Sequence, residues 1–226
     1  MRERWIGPYH RFLESAFGSD GRVWFTLIGL LYIAESYVTR NLIITKELYY
    51  KTFAEQLAAP RIENLFSLSM KYAWVGYLSI FLIVGVKSLF SSVCLNVGSL
   101  LLGSQVQFRQ LFRISVIAEI PRCLAAIWKT LHFIFVSKPN SLSDIAWYQP
   151  LSLSWLFESY KGQSWFVYPA QFLNAFELLY IFLLSLGFSV LSKSKYSRAL
   201  AVTVCTYGLG ILTWVSFVVF LSLSAG

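Results

Sequence analysis

Between Tyr72 and Leu102 the chain reads YAWVGYLSIFLIVGVKSLFSSVCLNVGSLLL, with Lys87 as its single charged residue. A helix crosses the roughly 30 Å hydrocarbon core of a bilayer with about 20 apolar residues. This run is longer than that, so it predicts a membrane-spanning helix that tilts or continues beyond the bilayer. Its only interruptions are Lys87 and the small residues from Ser88 to Ser92.

The rest of the chain agrees. Of 226 residues, 57% are apolar, 18% aromatic and only 13% charged, and the mean hydropathy is +0.60. A soluble domain carries about 25% charged residues. Too little polar surface is available to coat a secreted globular enzyme, a disordered regulator or a disulfide scaffold. Cys94, Cys123 and Cys205 all lie in apolar stretches and lack C-x-x-C or Cys/His spacing, so they read as small buried hydrophobes. The net charge of +8 suits cations kept in the flanks of membrane helices. No nucleic-acid fold can be placed around the densest basic group, Lys193, Lys195 and Arg198.

Four more spans follow from the same pattern, at about 23–44, 112–136, 170–191 and 199–223. The segment ahead of the first contains Glu3, Glu14 and Asp20 and no small-residue cleavage site follows, so the first span reads as a retained helix. Between spans one and two, Phe53, Leu57, Ala58, Ile62, Leu65 and Phe66 recur at helical spacing among charges, predicting an amphipathic surface helix. Between spans three and four, residues 138–169 hold Trp147, Tyr148, Trp155, Phe157, Tyr160, Trp165 and Tyr168. Such a density of Trp and Tyr suits the headgroup boundary and predicts an interfacial cap. The expected fold is therefore a single all-α integral membrane domain over residues 1–226, with five transmembrane helices.

Five spans place the termini on opposite sides. With the amino terminus inside, nine cations lie inside (Arg2, Arg4, Arg11, Arg22, Arg109, Arg113, Lys193, Lys195 and Arg198) against seven outside. That favours a cytoplasmic amino terminus and an outer carboxyl terminus.

Ionised side chains at membrane depth cost about 2.5 to 3.5 kcal/mol on insertion scales, so Glu35, Lys87, Glu119, Arg122, Lys129 and Glu177 need partners. In the third span, Glu119, Arg122, Cys123, Ala126, Lys129 and Thr130 share one helical face. Ile117, Ile120, Leu124, Trp128, Leu131 and Phe135 share the other. Depth and face suggest the pairs Lys87 with Glu119 and Lys129 with Glu177. Arg122 also reaches Glu119 at i, i+3, and Asn174 completes the hydrogen bonding of Glu177. His132 reads as an interfacial aromatic. The candidate polar network is thus Lys87, Glu119, Arg122, Lys129, Asn174 and Glu177. It either glues the bundle or lines a hydrated path. Candidate headgroup or partner contacts are Lys193, Lys195, Arg198, Trp147, Trp155 and Trp165.

Motifs for chemistry are missing: no G-x-S-x-G, H-E-x-x-H, phosphate loop or dinucleotide signature occurs. No enzyme activity, cofactor or metal is expected. Gly208 and Gly210 fall within the last span, where small residues permit close helix packing.

The run GSLLLGSQVQFRQLFRISVIAEIPRCLAAIWK from Gly98 to Lys129 resembles the shared region of the Yip-domain family of polytopic membrane proteins, in the form of a bacterial-type member. Gly98 and Gly103 end a long span, Phe108, Arg109, Leu111 and Phe112 form the aromatic-basic stretch, and Pro121 interrupts the next helix. NAFELLYIFLLSLGFSVLSKSKYSRALAV, with Gly187, is similar to the family's last hairpin. The resemblance implies five spans, a cytoplasmic amino terminus, a place in a bacterial inner membrane and no enzyme activity. The expected role is an accessory or scaffold subunit bound to another membrane protein, such as an export transporter. Competing readings are a transporter or channel with its own polar path, and a membrane enzyme acting on lipid headgroups.

Overall fold

A computed structural model describes residues 20–153 and 169–224. Among them the regular structure is helical throughout; the sole β feature is an isolated bridge between Ser152 and Asn174.

Helix α1 (Gly21–Leu42) starts where the Asp20 side chain accepts from the Arg22 backbone N–H at 3.2 Å, filling one of the donors a helix start leaves open. Next come α2 (Lys46–Phe53), capped by Thr45, and α3 (Ala59–Lys71), with Pro60 in its first turn. The expected single amphipathic helix is therefore two. Proline favours a first turn but breaks a helix interior, so Pro60 forces the restart after the gap at 54–58. Helix α4 (Ala73–Leu101) matches the run that opened the sequence reading, and it ends where Gly103 adopts φ +62°. Glycine enters that left-handed conformation without steric cost, which lets the Gly103 N–H reach the Leu100 carbonyl at 3.0 Å.

The third expected span is broken. Helix α5 (Phe108–Ala118) and helix α6 (Ile120–Phe135) meet at Glu119, because Pro121 has no N–H to donate and its ring crowds the preceding turn. A short α7 (Leu142–Trp147) follows, opened by a Ser141/Asp144 capping box. Helix α8 (Ala175–Leu191) starts later than the expected position 170: residues 169–172 form a separate helical turn, and Asn174 caps the new start. The last helical run comprises α9 (Tyr196–Thr203), a π-helical turn at Val204–Gly208 and α10 (Leu209–Ser224).

Among the described residues, two helices are long and apolar enough to cross a membrane, Ala73–Leu101 and Tyr196–Ser224; α1 and α2, bent by 72°, make a third if they count as one span. Helix α1 packs antiparallel to α4, with Phe25 against Phe81 and Tyr37 against Tyr77. It runs parallel to α5 and α6, with Phe25 on Phe112 and Thr39 on Thr130. Leu95, Leu111, Ile114, Tyr180, Leu184, Phe188 and Tyr207 form the main core, joining α4, α5, α8 and the π-turn. Close approach is visible at Gly210, where a β-carbon would stand 2.9 Å from Cys94 Sγ. Gly208 faces only its own Val204, so of the two glycines only Gly210 serves helix packing.

Candidate functional site

Helix α6 begins with Arg122 one turn past the break, and α8 begins with Glu177 in its first turn. These two starts meet. Arg122 donates from Nε to Glu177 Oε2 at 2.9 Å and from Nη2 to Glu177 Oε1 at 2.7 Å. Its Nη1 donates to Glu119 Oε1 at 2.6 Å. One guanidinium thus holds two carboxylates, and its planar fork matches Glu177 with two parallel bonds.

Aromatic side chains complete the enclosure. The Arg122 guanidinium carbon lies 3.6 Å from the centroid of the Tyr180 ring, a cation–π contact. The Tyr180 hydroxyl bonds Ser91 at 2.6 Å. Tyr207, on the π-turn, donates to Glu177 Oε1 at 2.8 Å and accepts from Arg122 Nη2. A π-turn adds a residue to the local helical repeat and redirects a side chain; here it directs Tyr207 inward. The Glu119 side chain is 0% exposed, Glu177 12% and Arg122 17%. Glu119 Oε2 is buried with no hydrogen-bond partner.

A second polar group lies farther along α6. Thr130 donates to Glu35 Oε1 at 2.5 Å, Thr39 donates to the same oxygen at 3.0 Å, and the two hydroxyls are 2.7 Å apart. This ties α1 to α6.

Several expected contacts are corrected. Glu119, Arg122 and Glu177 come together, but Lys87 does not pair with Glu119, nor Lys129 with Glu177. Arg122 takes both acids because its fork satisfies several carboxylate oxygens at once, whereas an ammonium is a point charge. The late start of α8 also brings Glu177 level with Arg122, seven positions or about 10 Å along α6 from Lys129. Lys129 is half-buried, one position before the Thr130 that bonds Glu35. Lys87 is exposed at the edge of the network, within the electrostatic reach of Glu119, Arg122 and Glu177. Asn174 accepts from the Glu177 backbone N–H at 2.8 Å rather than bonding its carboxylate.

The remaining candidates scatter. Lys193, Lys195 and Arg198 are exposed around the α8–α9 turn. Trp147 is half-buried, and its carbonyl accepts from Gln171 at 2.9 Å. Trp155 and Trp165 lie outside the described residues. His132 stacks on Tyr148 with ring centroids 4.5 Å apart. Leu124, Trp128, Leu131 and Phe135 are exposed as the two-faced reading requires, but Ile117, expected on the same face, is buried in the core because it lies on α5, before the break at Glu119. Tyr207, Tyr180, Ser91 and Glu35's threonine partners were not foreseen. Among the described residues, no group of His, Cys, Asp and Glu could hold a metal.

Comparison with family models, with curated proteins and with solved structures gave no match. Fold and site define an all-helical protein with apolar helices of membrane-crossing length and a buried arginine–carboxylate clamp.

Proposed function

We propose that this chain is a non-enzymatic, five-span membrane protein of the Yip-domain type that acts as an accessory or scaffold subunit beside another membrane protein. The observation that carries this reading is Lys87. It is exposed near the middle of α4, a helix otherwise fit for the hydrocarbon core. An ammonium at that depth costs several kcal/mol unless it is paired, and among the described residues Lys87 makes no ion pair; a carboxylate on a partner helix offsets that cost. Lys87 shares its face with Phe90, which packs on Tyr207 and close to Gly210. Helix α10, which begins there, has no buried residue. The apolar α10 and the cation beside it suit a second subunit better than lipid alone. Within the chain, the Arg122 clamp serves to fix helix register.

A transporter or channel is the second reading, favoured by the unpartnered Glu119 Oε2. Gentle purification separates the two. A stoichiometric second subunit that is lost from Lys87→Glu supports the accessory role. A lone protein that moves ions or protons in vesicles, with loss on Glu177→Gln, overturns it. The balance of cations supports a cytoplasmic amino terminus, and the Yip-type resemblance supports a bacterial inner membrane.

A further inference from the structure

At the start of α1, a cavity of about 310 Å³ opens against the start of α5. Arg22, Arg109 and Arg113 line it, with one acid, Asp20, and with Phe25 and Phe112 as its apolar wall. The Asp20 carboxylate is engaged by the Arg22 backbone N–H, and among the described residues neither Arg22 nor Arg109 makes an ion pair. The Arg113 stem packs over Gly21, so its head is held across the first turn of α1.

An open apolar strip on one face of α1 continues from this cavity. Arg22 and Thr26 border both, and from there the strip follows α1 past Val23, Leu27, Leu30 and Leu31 to Ala34. Those four apolar side chains are all exposed. Twelve residues of helical rise make about 18 Å, close to the roughly 15 Å depth of one hydrocarbon leaflet. A cationic mouth thus sits at the end of an exposed apolar strip one leaflet long.

We propose that this is a binding site for an anionic phospholipid, with its phosphate on Arg22, Arg109 and Arg113 and one acyl chain along α1. The inference rests on the membrane reading above. Basic pockets between helices at a membrane face take anionic headgroups by charge complementarity, and arginine suits phosphate because its fork bonds two oxygens. The apolar strip distinguishes a lipid from a free phosphate, which has no use for it.

Native mass spectrometry of delipidated protein, titrated with dioleoyl phosphatidylglycerol, dioleoyl phosphatidylcholine or inorganic phosphate, tests the assignment. Phosphatidylglycerol should bind best, and Arg22→Gln with Arg109→Gln should weaken it about thirtyfold. Lys51→Gln with Arg61→Gln, which removes exposed cations on α2 and α3 away from this cavity, should change it less than twofold. Leu30→Gln, which breaks the apolar strip, should weaken lipid binding and leave phosphate binding unchanged. Equal losses in both double variants, or equal affinity for phosphatidylcholine, would overturn the site. Phosphate binding as tight as the lipid would make it an anion site without an acyl chain. Release of the protein from membranes by alkaline carbonate would instead overturn the membrane reading beneath it.

Discussion

Arg122 meets Glu177 through two parallel hydrogen bonds of 2.9 and 2.7 Å, joining the first turn of α6 to the first turn of α8. Removing one member of such a buried set leaves the others charged and unpaired, which costs about 3–5 kcal/mol. Arg122→Gln is therefore expected to lower stability by that amount in detergent unfolding. Arg122→Lys should also destabilise, since lysine has neither the fork nor the planar face for Tyr180. Replacing Arg122, Glu119 and Glu177 together by leucine should cost less than Arg122→Gln alone. A triple variant weaker than the single one would show that the charges themselves stabilise the bundle.

A double-mutant cycle separates the observed partners from the pairs expected by depth. Arg122 and Glu177 should couple strongly. Lys129 and Glu177 should not couple beyond the few tenths of a kcal/mol typical of independent sites. Thr130→Val should lose about 0.6 to 1.7 kcal/mol, the range for hydrogen bonds between membrane helices, because Thr130 donates to Glu35 at 2.5 Å. Substantial coupling between Lys129 and Glu177 would contradict the geometry.

The contrast between these pairs marks how far the sequence was legible. Helix α4 could be read from composition, because an apolar run of that length has few alternatives. The two faces of α6 could be read from a 100° rotation per residue, and the exposed Leu124, Trp128 and Leu131 follow it. Register between helices could not be read, because it depends on where each helix starts. Pro121 and Pro60 mark such starts plainly, yet a continuous apolar pattern overrides them when only hydropathy is followed. Asn174 is a cap residue three positions before Glu177, the pattern of a helix start at Ala175. Reading it as a cap places Glu177 opposite Arg122. Tyr207 carried no such sign, since nothing in VCTYG distinguishes a π-turn from ordinary helix.

Two glycines on the α1–α4 interface should respond with opposite signs. A β-carbon on Gly29 would stand 2.2 Å from Phe81 Cε1, and Phe81 is itself packed on Phe25. Gly29→Ala must therefore push the helices apart, at about 1–3 kcal/mol for overpacking. At Gly85 the nearest atom is Phe25 Cε2 at 3.8 Å, an ordinary contact. Gly85→Ala should be neutral or stabilising by up to about 1 kcal/mol, the helical preference of alanine over glycine. Thermal melts of the two variants check the signs directly.

Outside the long helices, Lys46 on α2 pairs with Glu63 on α3 at 2.7 Å, and Tyr50 donates to the same carboxylate oxygen at 3.1 Å. The Lys46 hydrogen bond, then that from Tyr50, holds the Glu63 carboxyl below its ordinary value of 4.5, and Glu63 in turn raises the Lys46 ammonium above 10.5. A carboxyl depressed in the folded state stabilises above its unfolded value and loses that contribution as pH falls through the folded one. A raised ammonium stabilises below its unfolded value and loses that as pH rises through the folded one. Contact between α2 and α3 should thus be tightest between these limits and loosen below 4.5 and above 10.5. Both groups are about half exposed, so salt at 1 M should weaken the effect by screening. Hydrogen exchange of α2 amides, followed from pH 6 down to about pH 3 and corrected for intrinsic rates, should show lost protection. Glu63→Gln should remove that dependence. An unchanged acid profile in Glu63→Gln would assign the loosening to another carboxylate.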